Sequence, residues 1–218
     1  MAQSHDELSP PAGVSRRRFL QGVGVASAGA VIAESILARA ADTPEASAPA
    51  AASLPPGSSA EVPITLRLNG QNRNVMAEPR TTLLVALRDR LDPALTGPKL
   101  VCDAGSCGAC TVLFDGKPAC SCLILAVDAV GHDITTVEGL GKPGDLNPIQ
   151  QTFCEKDGMQ CGYCTDGFIV TLTAFLRDNQ NPTLDEVKEA CHGNFCRCGS
   201  YPHIFAAAQA AAGKFKKA

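Results

Sequence analysis

The sequence predicts an α+β chain: a hairpin-rich domain over residues 61–137, then a helical domain over residues 138–218 that reads as a four-helix bundle. Three observations carry this. Period-two alternation with an Asn-Gly and an Asp-Gly turn marks the first region. Apolar residues at helical spacing, separated by caps and breakers, fill the second. Each region also holds its own set of four cysteines at ligand-like spacing, so the division is chemical as well as structural.

In the first region Ile64, Leu66 and Leu68 alternate with Thr65 and Arg67, and Asn69-Gly70 then turns the chain. A return strand is expected through Asn74–Met76. From Thr81 the spacing becomes helical, with Leu83, Leu84, Leu87 and Leu91 on one face and Arg88, Asp89 and Arg90 largely outside, until Pro93 stops it. Thr111–Phe114 and Ala119–Ala126 flank a second turn at Asp115-Gly116. Hairpin, helix, cysteine loop, hairpin is the order expected of a β-grasp ferredoxin domain, with Cys122 projecting from the last strand toward the loop.

That loop reads Cys102-x4-Cys107-x2-Cys110, with Cys122 as a distant fourth thiol, the spacing of plant-type 2Fe–2S ferredoxins. Four thiolates complete the coordination of two tetrahedral irons. Gly105 and Gly108 allow the positive φ of a tight wrap, and Ala104, Ser106 and Ala109 add little bulk. A structural zinc site is the bland alternative, but such sites use paired short spacings, which this triplet does not match.

In the second region Asn147-Pro148 opens a helix to about Lys156. Cys161-x2-Cys164 precedes a long apolar helix bearing Phe168, Ile169, Leu172, Phe175 and Leu176. Thiolates at a helix N-terminus lie among free N–H groups at the positive end of the dipole, which suits an anionic group. Asn181-Pro182 breaks that helix, and Thr183 with Glu186 forms a capping box for the next. It ends near His192-Gly193 and delivers Cys196-x-Cys198, with 31 residues between Cys164 and Cys196. Pro202 to Gly213 makes the last helix. Zinc competes better for this set, because C-x2-C and C-x-C occur in zinc proteins. Arg197 either offsets the charge of a bound group or is a surface arginine. His5, His132, His192 and His203 form no metal-site spacing. Two 2Fe–2S clusters in one chain imply electron transfer, with no catalytic side chain.

The net charge of −3 and the lack of a basic stripe argue against nucleic acid as a partner. Of eleven cysteines eight match ligand spacings. Cys120, Cys154 and Cys191 are left as small buried hydrophobes or spare thiols, with a disulfide among them as the alternative. Residues 1–40 read as a twin-arginine signal peptide: Arg16-Arg17-Arg18 precedes an uncharged run from Phe19 to Ala33, and Ala38-Arg39-Ala40 supplies a cleavage site. The run is too short for an ordinary membrane span, so the cleaved protein is expected to be periplasmic and not an integral membrane protein. Export in the folded state suits a chain that carries preassembled clusters. Residues 41–60, rich in Ala, Pro and Ser, read as a flexible linker.

The stretches CDAGSCGACTVLFDGKP, TTVEGL, QCGYCTDGFI and GNFCRCGSYPHI resemble the iron–sulfur subunit of the xanthine oxidase family of molybdenum hydroxylases, over about residues 61–212. With the leader, the likeness is to the small subunits of bacterial periplasmic aldehyde oxidoreductases. The resemblance implies a molybdopterin centre on a large subunit, where the substrate, an aldehyde, is oxidised. A cluster held by Cys161, Cys164, Cys196 and Cys198 lies nearer the pterin. A second, held by Cys102, Cys107, Cys110 and Cys122, passes electrons toward FAD on a medium subunit. Gln160 matches the glutamine that hydrogen-bonds the pterin. Asp166 departs from the usual proline after Cys-Thr, and Gly199-Ser200 from the commoner Thr-Gly. A free-standing ferredoxin-type carrier, a small subunit acting on N-heterocycles, and a zinc- or disulfide-held binding module remain as alternatives.

Overall fold

The computed structural model describes residues 60–215; the leader and all but the last residue of the linker lie outside the described residues. β1 (Val62–Leu68) and β2 (Gln71–Ala77) pair antiparallel around Asn69-Gly70, and β3 (Thr111–Phe114) and β4 (Lys117–Cys120) pair around Asp115-Gly116. β5 (Asp133–Thr135) joins the hairpins, parallel to β1 and antiparallel to β3, giving the order β2-β1-β5-β3-β4. Three residues are too few to raise a periodic signal, so only the sheet reveals this strand.

Thr82 caps a helix, α1 (Leu83–Val85), by accepting from the Val85 N–H, and the helix widens into a π turn at Ala86–Arg90. It lays Leu83 and Leu87 across Leu66, Val75, Val112 and Ile134 of the sheet. A mixed sheet gripping one helix is the β-grasp arrangement expected. The last strand is shorter than the sequence suggests. The chain leaves β4 in a 3₁₀ turn at Ser121–Leu123, and Cys122 sits in that turn instead of on a strand running to Ala126. The Ser121 N–H and hydroxyl both donate to the Cys110 carbonyl, at 3.4 and 2.7 Å, and curl the chain over the cysteine loop.

Four helices follow: α2 (Pro148–Glu155), α3 (Thr165–Asp178), α4 (Leu184–Ala190) and α5 (Tyr201–Ala211). Two start at reciprocal caps. Asn147 accepts from the Ile149 N–H while Gln150 accepts from the Asn147 N–H, both at 3.0 Å. Thr183 and Glu186 exchange bonds of 3.3 and 2.7 Å. Phe153, Phe168, Leu172, Leu176, Val187 and Ile204 fill the core between these helices. Each such side chain contributes about 1.5–3 kcal/mol through burial. Leu113 of β3 and Val137 beyond β5 belong to this same core, so sheet and helices share a packed boundary. Among the described residues no helix is long and apolar enough to cross a membrane.

Candidate metal centres

The first cysteine loop is a wrap of backbone. Gly105 and Gly108 take the expected positive φ, 69° and 68°. The N–H groups this turns inward bear on the thiols. The Ala104 N–H, then the Cys107 thiol and the N–H groups of Ser106 and Cys107, pull Cys102 down to about 7. Burial and the Cys110 thiol push Cys122 up to about 11. The structure therefore brings Cys102 against Cys107 and Cys110 against Cys122, and the Gly105 N–H donates to Cys122 Sγ at 3.3 Å.

The second set is assembled from distant turns. The Tyr163 N–H and the Cys198 thiol pull Cys161 down, while burial and the Cys196 thiol push Cys164 up to about 12. Cys161 thus meets Cys198, and Cys164 meets Cys196, each pair bridging the turn before α3 and the turn before α5. Cys196 is buried and its N–H donates to the Tyr201 hydroxyl at 2.9 Å; Cys161 and Cys198 are exposed. Two hydroxyls next in sequence to this set, Thr165 Oγ1 and Ser200 Oγ, are buried without a hydrogen-bond partner.

All eight predicted residues thus fall into two groups, each built of two thiol pairs. Two irons that share bridging sulfides need only two thiolates apiece, so the residues present fit a binuclear cluster in each group.

A fifth thiol, missed by spacing, joins the first group. Cys120 lies against Cys110 and shifts it upward, and its Sγ approaches the Gly105 carbonyl at 3.9 Å. The 3₁₀ turn is what lets both Cys120 and Cys122 face the loop. Cys191 is a buried small hydrophobe whose thiol burial pushes up to about 12, Cys154 is exposed, and none of the eleven is in a disulfide. Gln160, Arg197, His192 and His203 are all exposed. His192 pairs with Glu189 at 3.1 Å, and His203 Nδ1 lies 3.0 Å from the Lys156 carbonyl.

The two sites meet along a seam. The Phe195 N–H donates to the Cys107 carbonyl at 2.9 Å. Asn194, itself buried, donates to the Gly108 carbonyl at 3.1 Å and accepts from the Thr171 hydroxyl at 2.9 Å. A Cβ on Gly108 would run into the Gly193 carbonyl and the Asn194 amide, and one on Gly167 into the Gly108 carbonyl, so both glycines are required by close approach. Asp166 in the first turn of α3 is paired with Lys99, which also donates to the Gly97 carbonyl at 2.9 Å. Burial pushes the Asp166 carboxyl upward and Lys99 pulls it back. The departure from proline therefore supplies an ion pair between the domains.

Models of known families match both halves. One described as a 2Fe-2S iron-sulfur cluster binding domain matches residues 66–130, and one described as a 2Fe-2S binding domain matches residues 136–209. The aldehyde oxidoreductase iron-sulfur-binding subunit PaoA of Escherichia coli O157:H7 is 45% identical over 183 residues, spanning 76% of this chain and 79% of that one. Quinoline 2-oxidoreductase from Pseudomonas putida 86 superposes with a TM-score of 0.67 at 42% identity, covering 73% of this chain and 100% of the matched chain. The aldehyde oxidoreductase of Desulfovibrio desulfuricans superposes with a TM-score of 0.65 at 38% identity, covering 70% of this chain but 17% of its own.

Proposed function

The chain belongs to the iron–sulfur subunits of the molybdenum hydroxylases, and on that premise we propose that it carries electrons from a large molybdopterin-binding subunit through two 2Fe–2S clusters toward FAD on a medium subunit. Aldehydes are the proposed substrates. Cys102, Cys107, Cys110 and Cys122 hold one cluster, and Cys161, Cys164, Cys196 and Cys198 hold the other. Each cluster, when bound, stores and releases one electron at a time. The chain's own residues fix the distance between them and exclude water from the inner thiols.

The observation that carries this reading is the seam. Cys107 belongs to the first group and Cys196 to the second, and a single hydrogen bond from Phe195 to Cys107, plus one peptide, joins them. A short path between two redox sites, through one hydrogen bond and one peptide, favours the passage of electrons between them. The exposed pair Cys161 and Cys198 faces outward beside Gln160, Met159 and Tyr163, all exposed, and this is the proposed face for the pterin subunit. The Desulfovibrio enzyme, in which the matched region is a small part of one long polypeptide, supports a separate large partner here.

Anaerobic reconstitution should give about four irons per chain and two distinct paramagnetic signals on reduction. Colourless, zinc-loaded protein would overturn the reading. Purification from the native host should bring a molybdenum-containing large chain, whereas a lone monomer would identify a free-standing carrier. An N-heterocycle substrate is the second reading, supported by the quinoline 2-oxidoreductase likeness; turnover of the intact complex with aromatic aldehydes against quinoline decides between them. Export by the twin-arginine route belongs to the same proposal. Replacing Arg16 and Arg17 with lysine should leave the precursor inside the cell.

A further inference from the structure

Cys120 is the one thiol of the first group that the cluster reading leaves without a task. It ends β4, two residues before Cys122 in the 3₁₀ turn. Packing alone would ask only for a small hydrophobe there. The fold gives it particular company: Cys110 and Cys122 are buried together with Leu84, and Cys120, half-buried, packs against them. Cys120 and Cys122 also reach the same residue of the loop. The Gly105 N–H donates to Cys122 Sγ at 3.3 Å, and the Gly105 carbonyl accepts from Cys120 Sγ at 3.9 Å. Ser121, between the two, is pinned by its hydroxyl and N–H to the Cys110 carbonyl, so both its neighbours stay over the loop. A ligating thiolate accepts hydrogen bonds, whereas a free thiol can donate one. By that measure Cys122 is the ligand and Cys120 a spare standing beside it.

We propose that Cys120 is a reserve ligand of the ferredoxin-domain cluster, able to take the place of the Cys122 sulfur when that sulfur is absent. The inference rests on the reading that the first thiol group holds a 2Fe–2S cluster. In the exchange the Cys120 thiol gives its proton to solvent, and its sulfur makes the bond to iron that Cys122 would have made. No electron moves, so neither an oxidant nor a reductant is needed. The reserve serves Cys122, because these two sulfurs come to the loop from one turn and meet it at one residue, Gly105.

The test is anaerobic reconstitution of the full-length protein, read by iron content and by the reduced paramagnetic signals, in the parent, in Cys122→Ala and in the double variant with Cys120→Ala. Cys122→Ala should keep about four irons per chain and a ferredoxin-domain signal at a shifted position, whereas the double variant should keep about two irons and the helical-domain signal alone. Loss of the ferredoxin-domain signal from Cys122→Ala with the helical-domain signal intact, or its survival in the double variant, would overturn the role of Cys120. So would its loss from Cys120→Ala alone, which would make Cys120 an ordinary ligand. Should alanine at position 122 impair folding, seen as loss of the helical-domain signal as well, Cys122→Ser takes its place, with and without Cys120→Ala. An exchange then gives the single variant a sulfur-ligated absorption spectrum that the double variant lacks, and identical spectra overturn it. A parent protein that shows no reduced 2Fe–2S signals would instead overturn the cluster reading itself, so the two failures are distinguishable.

Discussion

The two thiol groups solve one chemical problem in opposite ways. The first takes three of its four thiols from nine consecutive residues, Cys102–Cys110, and a backbone with two positive-φ glycines sets their positions. The second takes two from the turn before α3 and two from the turn before α5, and depends on the helices between packing correctly. The first is local and inward-facing at Cys110 and Cys122; the second is long-range and presents Cys161 and Cys198 to solvent. A site made by local backbone survives changes elsewhere, whereas one made by packing inherits every weakness of its core.

The sharpest break of this contrast comes from removing one buried thiol on each side. Cys196→Ala should abolish the helical-domain signal and halve the iron to about two per chain while the ferredoxin-domain signal persists. Cys110→Ala should do the reverse. Loss of both signals from Cys196→Ala would show that the first site is not self-sufficient.

Next comes the seam. Gly108→Ala must place a side chain at positive φ and push into the Gly193 carbonyl, and should lower stability by about 3 kcal/mol in denaturant unfolding. Both signals should broaden in that variant, because the substitution displaces loops of both sites. Lys99→Met leaves the Asp166 carboxylate without its partner in a partly buried place, at a cost of about 2 kcal/mol after allowance for its partial exposure. Asp166→Asn in the Lys99→Met background should restore most of that loss.

The smallest effect tests the outer end of the helical domain. Thr183→Ala removes the α4 cap and should cost about 1 kcal/mol without altering either signal. The Thr183 N–H and hydroxyl hold the Glu186 carboxyl below the ordinary glutamate range. Its folded value is thus depressed, so its contribution is present above the unfolded value and lost as pH falls through the folded one. Thermal unfolding of the parent should show a loss on acidification that is smaller in Thr183→Ala.

Wherever one residue's neighbours in the chain decide its conformation, the sequence was legible. The Asn69-Gly70 and Asp115-Gly116 turns, the caps at Asn147 and Thr183, the positive φ of Gly105 and Gly108, the Cys102–Cys110 triplet and the two short pairs Cys161 with Cys164 and Cys196 with Cys198 all lie in windows of a few residues, where backbone sterics and hydrogen bonding act directly. Other features depended on groups far apart in the chain. β5 is held by partners some 66 and 20 residues away, from the pairs Leu68 with Ile134 and Phe114 with Ile134. The Lys99–Asp166 pair, the approach of Cys120 to Cys110, the matching of Cys161 with Cys198, and the uncapped hydroxyl of Ser200 likewise appear only once the core has closed. Side-chain chemistry and spacing determined what each quartet could bind. Packing, which alone brings distant groups into contact and strips water from them, decided how the thiols pair and how the two sites are joined.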